Sequence, residues 1–409
     1  MALSLPAQAE LLLSGQAERP SSLARAAALL RSDITVAFPT ETVYGLGGNA
    51  LSTTAVQRIF DAKGRPADNP LIVHVADTDM LQKLVPGGSA AIPAVFHKLM
   101  DTFWPGPLTL IVPLDPRASP PELDVSPLVT AGQPSVGVRM PAHPLARDLI
   151  RETGLPLAAP SANLSSRPSP TTAQHVMHDL GQGRGVGAVL DGGPCDVGVE
   201  STVVDYVAHE HVVRVLRAGG VSPEQIETCL ANDGPGSARV SVFKRDFRDA
   251  ELESAPTTPG MKYKHYAPLH ARVVLVRVVH DDNATPDDEG DLPPKLSEAI
   301  FGASHLKSDA SVGLLLSRAS LDSLPRHVLE SQRAPRCFNI GDEASEDVDA
   351  DASARATARA LFASLRAADD ERLATVFVEC LDEHGLGLAV MERARKAAGG
   401  AAELVVRPG

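Results

Sequence analysis

Short apolar runs of strand character alternate with amphipathic helical stretches twice over in this chain. A stretch with neither pattern separates the two series. ITVAFP (34–39), LIVHV (71–75), LTLIVPL (108–114) and SVGVRMP (135–141) have strand length and composition. Between and after them, residues 21–31, AVQRIFDAK, IPAVFHKLM, HPLARDLIRET and TTAQHVMHDL place apolar side chains at helical spacing. LPLAAPSAN reads as a strand ending in a polar loop, and GAVLDGG, STVVDY and VVRVLRAG add three short strands. Thr53 or Thr54 is the expected cap of the helix ended by Gly64, and Ser169 or Thr171 that of TTAQHVMHDL. TETVYGLGGNA, after the first strand, reads as a glycine-bearing loop. The alternation predicts an α/β or α+β domain of about 200 residues.

From 233 to 259 the periodicity disappears and Gly, Ser, Pro and charge take over, which reads as a linker. RVVLVRVV (272–279) then opens a second series, continued by VGLLLS, ARATARALFASLRAA, TVFVEC and GLAVMERARKAA. That pattern predicts a smaller βαβ, Rossmann-like domain, without the G-x-G-x-x-G opening of a dinucleotide binder. Residues 281–291 hold six acids and no base, as a solvated surface loop does.

A chain of 409 residues accommodates both domains, and 44% hydrophobic with 22% charged residues fits a globular protein. The formal net charge of -13 argues against a chain held on nucleic acid by bulk electrostatics. Cys195, Cys229, Cys337 and Cys380 form no C-x-x-C pair, a poor pattern for zinc or for a disulfide framework, so a reducing compartment is expected. No run is long and apolar enough to span a bilayer, and the N-terminus has no basic region ahead of an apolar one. A cytoplasmic location is the expectation. A mitochondrial address, on the strength of Arg19, Arg25 and Arg31, ranks below it.

Candidate functional residues gather at strand ends. The first group is 39–47, PTETVYGLG, whose glycines let backbone approach a ligand. Lys63 and Arg65 follow, with Asn69 and His74 downstream; the Lys63–Arg65 pair complements a helix C-terminus or a polyphosphate, and His74, in an apolar strand, reads by itself as a satisfied core histidine rather than a ligand. Ser161 and Asn163, with Ser169 beyond, offer hydroxyls and an amide to phosphate or ribose, or caps to a helix. Ser201, in 200–202, precedes Arg217 by one strand. Arg139 is a charge inside an apolar strand, where a carboxylate or phosphate partner is expected. Together these residues suit an anionic ligand such as a nucleoside triphosphate, and no P-loop is present to hold one.

In order and spacing, PTETVYGLG, KGRP, NPLIVHV, FWPGPLT, VGVRMP, PSANLSS and ESTVVD followed by LRAG resemble the YrdC-like domain of threonylcarbamoyl-AMP synthases. TPGMKYKHYAP (258–268) and GLGLAVMERARKAA resemble the linker and appended domain of the two-domain members. The resemblance implies a twisted mixed-sheet catalytic domain at 23–232 behind an extension at 1–22. A linker or lid at 233–269 and a Rossmann-like domain at 270–409 follow. It implies synthesis of threonylcarbamoyl-AMP from L-threonine, bicarbonate and ATP with Mg²⁺. A separate transferase would take the product on to tRNA. It places threonine on Thr42, His74, Arg139, backbone near Ala159, and Ser201. ATP falls on Lys63, Arg65, Asn69, Ser135, Ser161, Asn163, Ser169, Arg217 and Tyr266, with Lys63 and Arg65 stabilising the phosphates during reaction. Ser166 replaces a common Gly, and Ala218 a common Pro. The alternatives are an RNA-binding or regulatory module without turnover, and a carbamoyltransferase of hydrogenase maturation, whose C-x-x-C pairs are missing.

Overall fold

The computed structural model describes residues 5–85, 87–114, 125–231, 237–243, 266–279, 294–301, 311–330, 334–338 and 350–408. The acidic run 281–291 and most of the linker expected at 233–269 lie outside them. The chain divides into two compact units: residues 1–165 with 169–263, and residues 166–168 with 264–409.

Among the described residues, the first unit is built on eleven strands. In chain order they are β1 (Glu10–Leu13), β2 (Val36–Phe38), β3 (Gly45–Asn49), β4 (Ile72–His74), β5 (Leu108–Pro113) and β6 (Ser135–Arg139), then β7 (Leu157–Ala158), β8 (Ala188–Asp191), β9 (Thr202–Val207), β10 (Val212–Arg217) and β11 (Arg239–Val242). Their spatial order is β1-β8-β2-β3-β7-β4-β6-β5-β9-β10-β11, with parallel and antiparallel pairs mixed. The helices are α1 (Arg19–Arg31), α2 (Thr53–Lys63), α3 (Thr78–Leu84), α4 (Ala94–Phe103), α5 (Pro127–Thr130), α6 (Pro144–Thr153), α7 (Ala173–Leu180) and α8 (Pro223–Ala231). One apolar core takes Val56, Ile59 and Phe60 of α2 and Phe96 and Leu99 of α4 against Val73, Leu110 and Val138 of the sheet. A second takes Ala26, Ala27 and Leu30 of α1 and Leu145, Leu149 and Ile150 of α6.

Three local expectations are corrected. The stretch Gly45–Asn49 is a strand antiparallel to β2. The lack of side chains that suggested a loop is what admits its neighbours: a Cβ on Gly47 would stand 2.7 Å from the Phe38 ring. Helix α2 is capped by Ser52, whose hydroxyl accepts from the Ala55 amide, so Thr53 and Thr54 fall inside the first turn. Helix α7 is capped by Thr172, which accepts from the His175 amide; Ser169 is engaged elsewhere. An edge strand unforeseen in the sequence, β1, pairs in parallel with β8.

The second unit carries five strands among its described residues: β12 (Arg272–Val278), β13 (Val312–Leu315), β14 (Arg336–Cys337), β15 (Thr375–Glu379) and β16 (Leu404–Val406). All pairs are parallel, in the order β14-β13-β15-β12-β16. The long helices Ala350–Asp370 and Leu386–Ala397 accompany them. The unit is a small parallel α/β fold whose strand order differs from that of a mononucleotide-binding half. No helix among the described residues is long and apolar enough to cross a membrane.

Candidate active site

The site begins with strand register. Strand β4 lies between β6 and β7, and the register sets His74 beside Arg139 on one side and Leu157 on the other. Both side chains end their strands, and both are buried. The turn after β2 brings up 40–42. Arg139 Nη1 donates to Thr42 Oγ1 at 2.9 Å, Nη2 to Glu41 Oε1 at 2.6 Å, and Nε to the Gly106 carbonyl at 3.1 Å. The partner foreseen for the buried arginine is therefore Glu41, which also accepts from the Ala142 amide at 3.0 Å. A guanidinium has five N–H donors. Among the described residues, one N–H on Nη1 and one on Nη2 remain for a ligand.

Behind this fork the hydroxyls form a chain. Thr40 Oγ1 donates to the Val43 carbonyl at 2.6 Å and lies 2.8 Å from Thr42 Oγ1, so the Thr42 hydroxyl donates to Thr40. Burial, with Arg139 close by, lowers the His74 pKa to about 3, so the imidazole is neutral near pH 7. Its Nδ1 is buried without a hydrogen-bond partner among the described residues. A buried polar atom left without a partner carries a desolvation cost. The Cys195 thiol, buried near Thr40 and Glu41, is pushed up to about 12, chiefly by burial, and is no nucleophile.

A second group forms where β9 begins and β10 ends. Arg217 Nη2 donates to the Ser201 carbonyl at 2.9 Å and to Ser201 Oγ at 3.1 Å, and that hydroxyl lies 2.8 Å from Thr109 Oγ1. Ser169 Oγ donates to Glu200 Oε1 at 2.6 Å. A third group joins the end of α2 to the loop after β7. Lys63 is buried, and its ammonium donates to the carbonyls of Ser161 and Asn163, the latter at 2.6 Å. Half-buried Arg65 donates to the carbonyls of Asn69 at 3.3 Å and Pro70 at 3.1 Å. The three groups thus carry four cations, Arg139, Arg217, Lys63 and Arg65, beside hydroxyls and amides, a set of side chains able to bind an amino-acid carboxylate and a polyphosphate.

Residues 28–219 match a family profile described as telomere recombination, that of the Sua5, YciO and YrdC proteins. Residues 221–399 match the threonylcarbamoyl-AMP synthase C-terminal domain. The threonylcarbamoyl-AMP synthase of Schizosaccharomyces pombe is 42% identical, over 93% of this chain and 89% of its own length. That of Bacillus subtilis is 41% identical, over 92% and 93%. The chain belongs to the threonylcarbamoyl-AMP synthase family. A solved structure of Pyrococcus abyssi Sua5 complexed with L-threonine aligns with a TM-score of 0.73 and 35% identity, over 97% of this chain and 98% of that one.

Against what the synthase family implies, the structure brings together Thr42, His74 and Arg139, Ser201 with Arg217, and Lys63 with Ser161 and Asn163. The Ala159 amide donates to the Ile72 carbonyl, so backbone at that point is tied to β4. Ser135 opens the strand that Arg139 ends, about 13 Å away at ~3.3 Å per residue. Tyr266 belongs to the second unit, where its ring packs 5.1 Å from that of Phe362 at φ 68°. Ser166, in place of a common Gly, has φ 75°, a conformation that explains the usual glycine. Thr109 was not foreseen as a site residue, and Glu41 lay within the 39–47 group without a role of its own. The signal for Glu41 was the buried arginine itself, which needs a counter-charge that spacing alone does not locate.

Proposed function

We propose that the site in the first unit condenses L-threonine, bicarbonate and ATP to threonylcarbamoyl-AMP and pyrophosphate. The chain's activity is that of a threonylcarbamoyl-AMP synthase, serving threonylcarbamoyladenosine modification of tRNA. The observation that carries the site assignment is the Arg139 fork, held on three sides and facing a neutral His74 and the Thr42 hydroxyl. A carboxylate matches two parallel N–H donors. The His74 imidazole and further lone pairs of the Thr42 and Ser201 hydroxyls serve the amine and hydroxyl of threonine, with backbone near Ala159 closing the subsite.

ATP lies toward the cations. Arg65 and Arg217 face its phosphates, while Lys63 holds the Ser161–Asn163 loop and adds its charge from behind. Asn69, Ser135 and Ser169 complete the nucleotide contacts. Mg²⁺ arrives on the triphosphate, whose oxygens are the hard donors it prefers. The threonine amine and bicarbonate form a carbamate and water. A carbamate oxygen then bonds to the α-phosphorus as the bond to pyrophosphate breaks. Positioning and charge neutralisation supply the catalysis. A transferase acting on tRNA consumes the product. Four free thiols suit the reducing cytoplasm.

The test mixes chain, ATP-Mg²⁺, threonine and bicarbonate and follows pyrophosphate, with threonylcarbamoyl-AMP identified by mass. Release that needs both threonine and bicarbonate supports the reading. Its absence, with tight RNA binding instead, would favour a binding module.

A further inference from the structure

Glu41 is a buried carboxylate that the reaction scheme leaves without a task. Its exposure is 6%. One oxygen takes an Arg139 N–H at 2.6 Å and the other the Ala142 amide at 3.0 Å. Its own carbonyl accepts from the Val197 amide at 2.8 Å. The carboxylate is thus clamped between β6 and the turn beyond it, while the glycine-rich loop after β8 holds its backbone. Burying a charge pair of this kind is a poor route to stability, since an apolar pair of similar volume does as well. What a two-point carboxylate does supply is direction. It fixes the rotation of the guanidinium about its long axis, with Thr42 and the Gly106 carbonyl setting the other two corners. Because the pair is neutral, the pocket also suits a ligand with no net charge but a carboxylate and an ammonium.

We infer that Glu41 is the positioning residue of the amino-acid subsite, orienting the Arg139 fork so that its two remaining N–H groups meet the substrate carboxylate. This rests on the reading that Arg139 takes that carboxylate. A glutamine at 41 has the same shape but one acceptor, so it serves either Arg139 or Ala142 and turns an N–H₂ toward the other. The fork then loses its fixed direction, and an error near 1 Å at a binding group costs on the order of tenfold to a hundredfold.

The experiment measures calorimetric affinity for threonine and for threonine amide, and KM and kcat for pyrophosphate release. It uses the full chain as wild type, Glu41→Gln, Arg139→Lys and the double variant. Glu41→Asp, which keeps the charge and retracts it by one methylene, stands in if Glu41→Gln does not unfold cooperatively. The inference predicts threonine Kd and KM raised about tenfold or more in Glu41→Gln, with the KM for ATP unchanged. Preference for threonine over its amide should largely disappear. In the Arg139→Lys background the Glu41 substitution should add little, because it acts through Arg139. A Glu41→Gln Kd equal to or tighter than wild type, or effects that add in the double variant, would overturn the inference. A wild type that binds threonine amide as well as threonine overturns the underlying reading of Arg139 instead.

Discussion

Replacing Lys63 by Met tests whether this cation works as a tether, as a phosphate ligand, or as both. Lys63 is 2% exposed, and its ammonium bridges the carbonyls of Ser161 and Asn163, which lie about a hundred residues further along the chain. Each hydrogen bond from a charged donor is worth ~1.5–3 kcal/mol, and the carbonyls left behind lose their partner. Methionine fills the space and relieves the cost of burying a charge, which offsets part of the loss. A net destabilisation of about 2–3 kcal/mol follows, and for a unit of this size a fall in Tm of roughly 4–12 °C. The assay pairs thermal unfolding with pyrophosphate release at temperatures where both proteins are folded. The expected outcome is a lowered Tm together with a rate reduced about a hundredfold or more. Normal turnover would remove Lys63 from the chemistry. Unchanged Tm with abolished turnover would refute the tether and leave a phosphate contact alone.

Other substitutions probe the remaining parts. Gly47→Ala places a methyl 2.7 Å from the Phe38 ring, and overpacking of this kind costs ~1–3 kcal/mol, read as a lower denaturant midpoint. Ser166→Gly relieves a side chain held at φ 75° and should raise the thermal midpoint by an amount equivalent to about 0.5–1 kcal/mol; a decrease would count against the strain. His74, with a folded pKa near 3 against 6.5 unfolded, binds fewer protons when folded. Its contribution is therefore fully present above pH 6.5 and is lost at about 1.4 kcal/mol per pH unit as pH falls toward 3; His74→Gln should flatten that part of the stability profile. Arg217→Gln removes donors to the Ser201 carbonyl and hydroxyl, and kcat/KM should drop at least tenfold, as steady-state kinetics would show.

Much of this architecture was legible because period and burial agree. The runs at 71–75, 108–114 and 135–141 alternate with helices whose apolar faces repeat every three or four residues, and all became sheet and helix. Where side chains carry no hydrophobic signal the reading failed. Gly45–Asn49 is a strand whose partners press against bare backbone. Caps shifted by one residue at Ser52 and Thr172, because Ser and Thr follow one another there and only backbone geometry selects among them. At the site, a charge in an apolar strand announced a buried partner for Arg139. Identifying that partner as Glu41 required the fold, since 98 positions separate them. The role of Lys63 was half visible: its charge was evident, but its attachment to the Ser161–Asn163 loop is a tertiary fact.

A crystal structure of the chain with L-threonine bound would decide whether Arg139 takes the substrate carboxylate. The threonine carboxylate is expected within about 3 Å of Arg139 Nη1 and Nη2, with His74 and Thr42 around the rest of the molecule. Threonine bound away from Arg139, or with its carboxylate on Arg217, would contradict it.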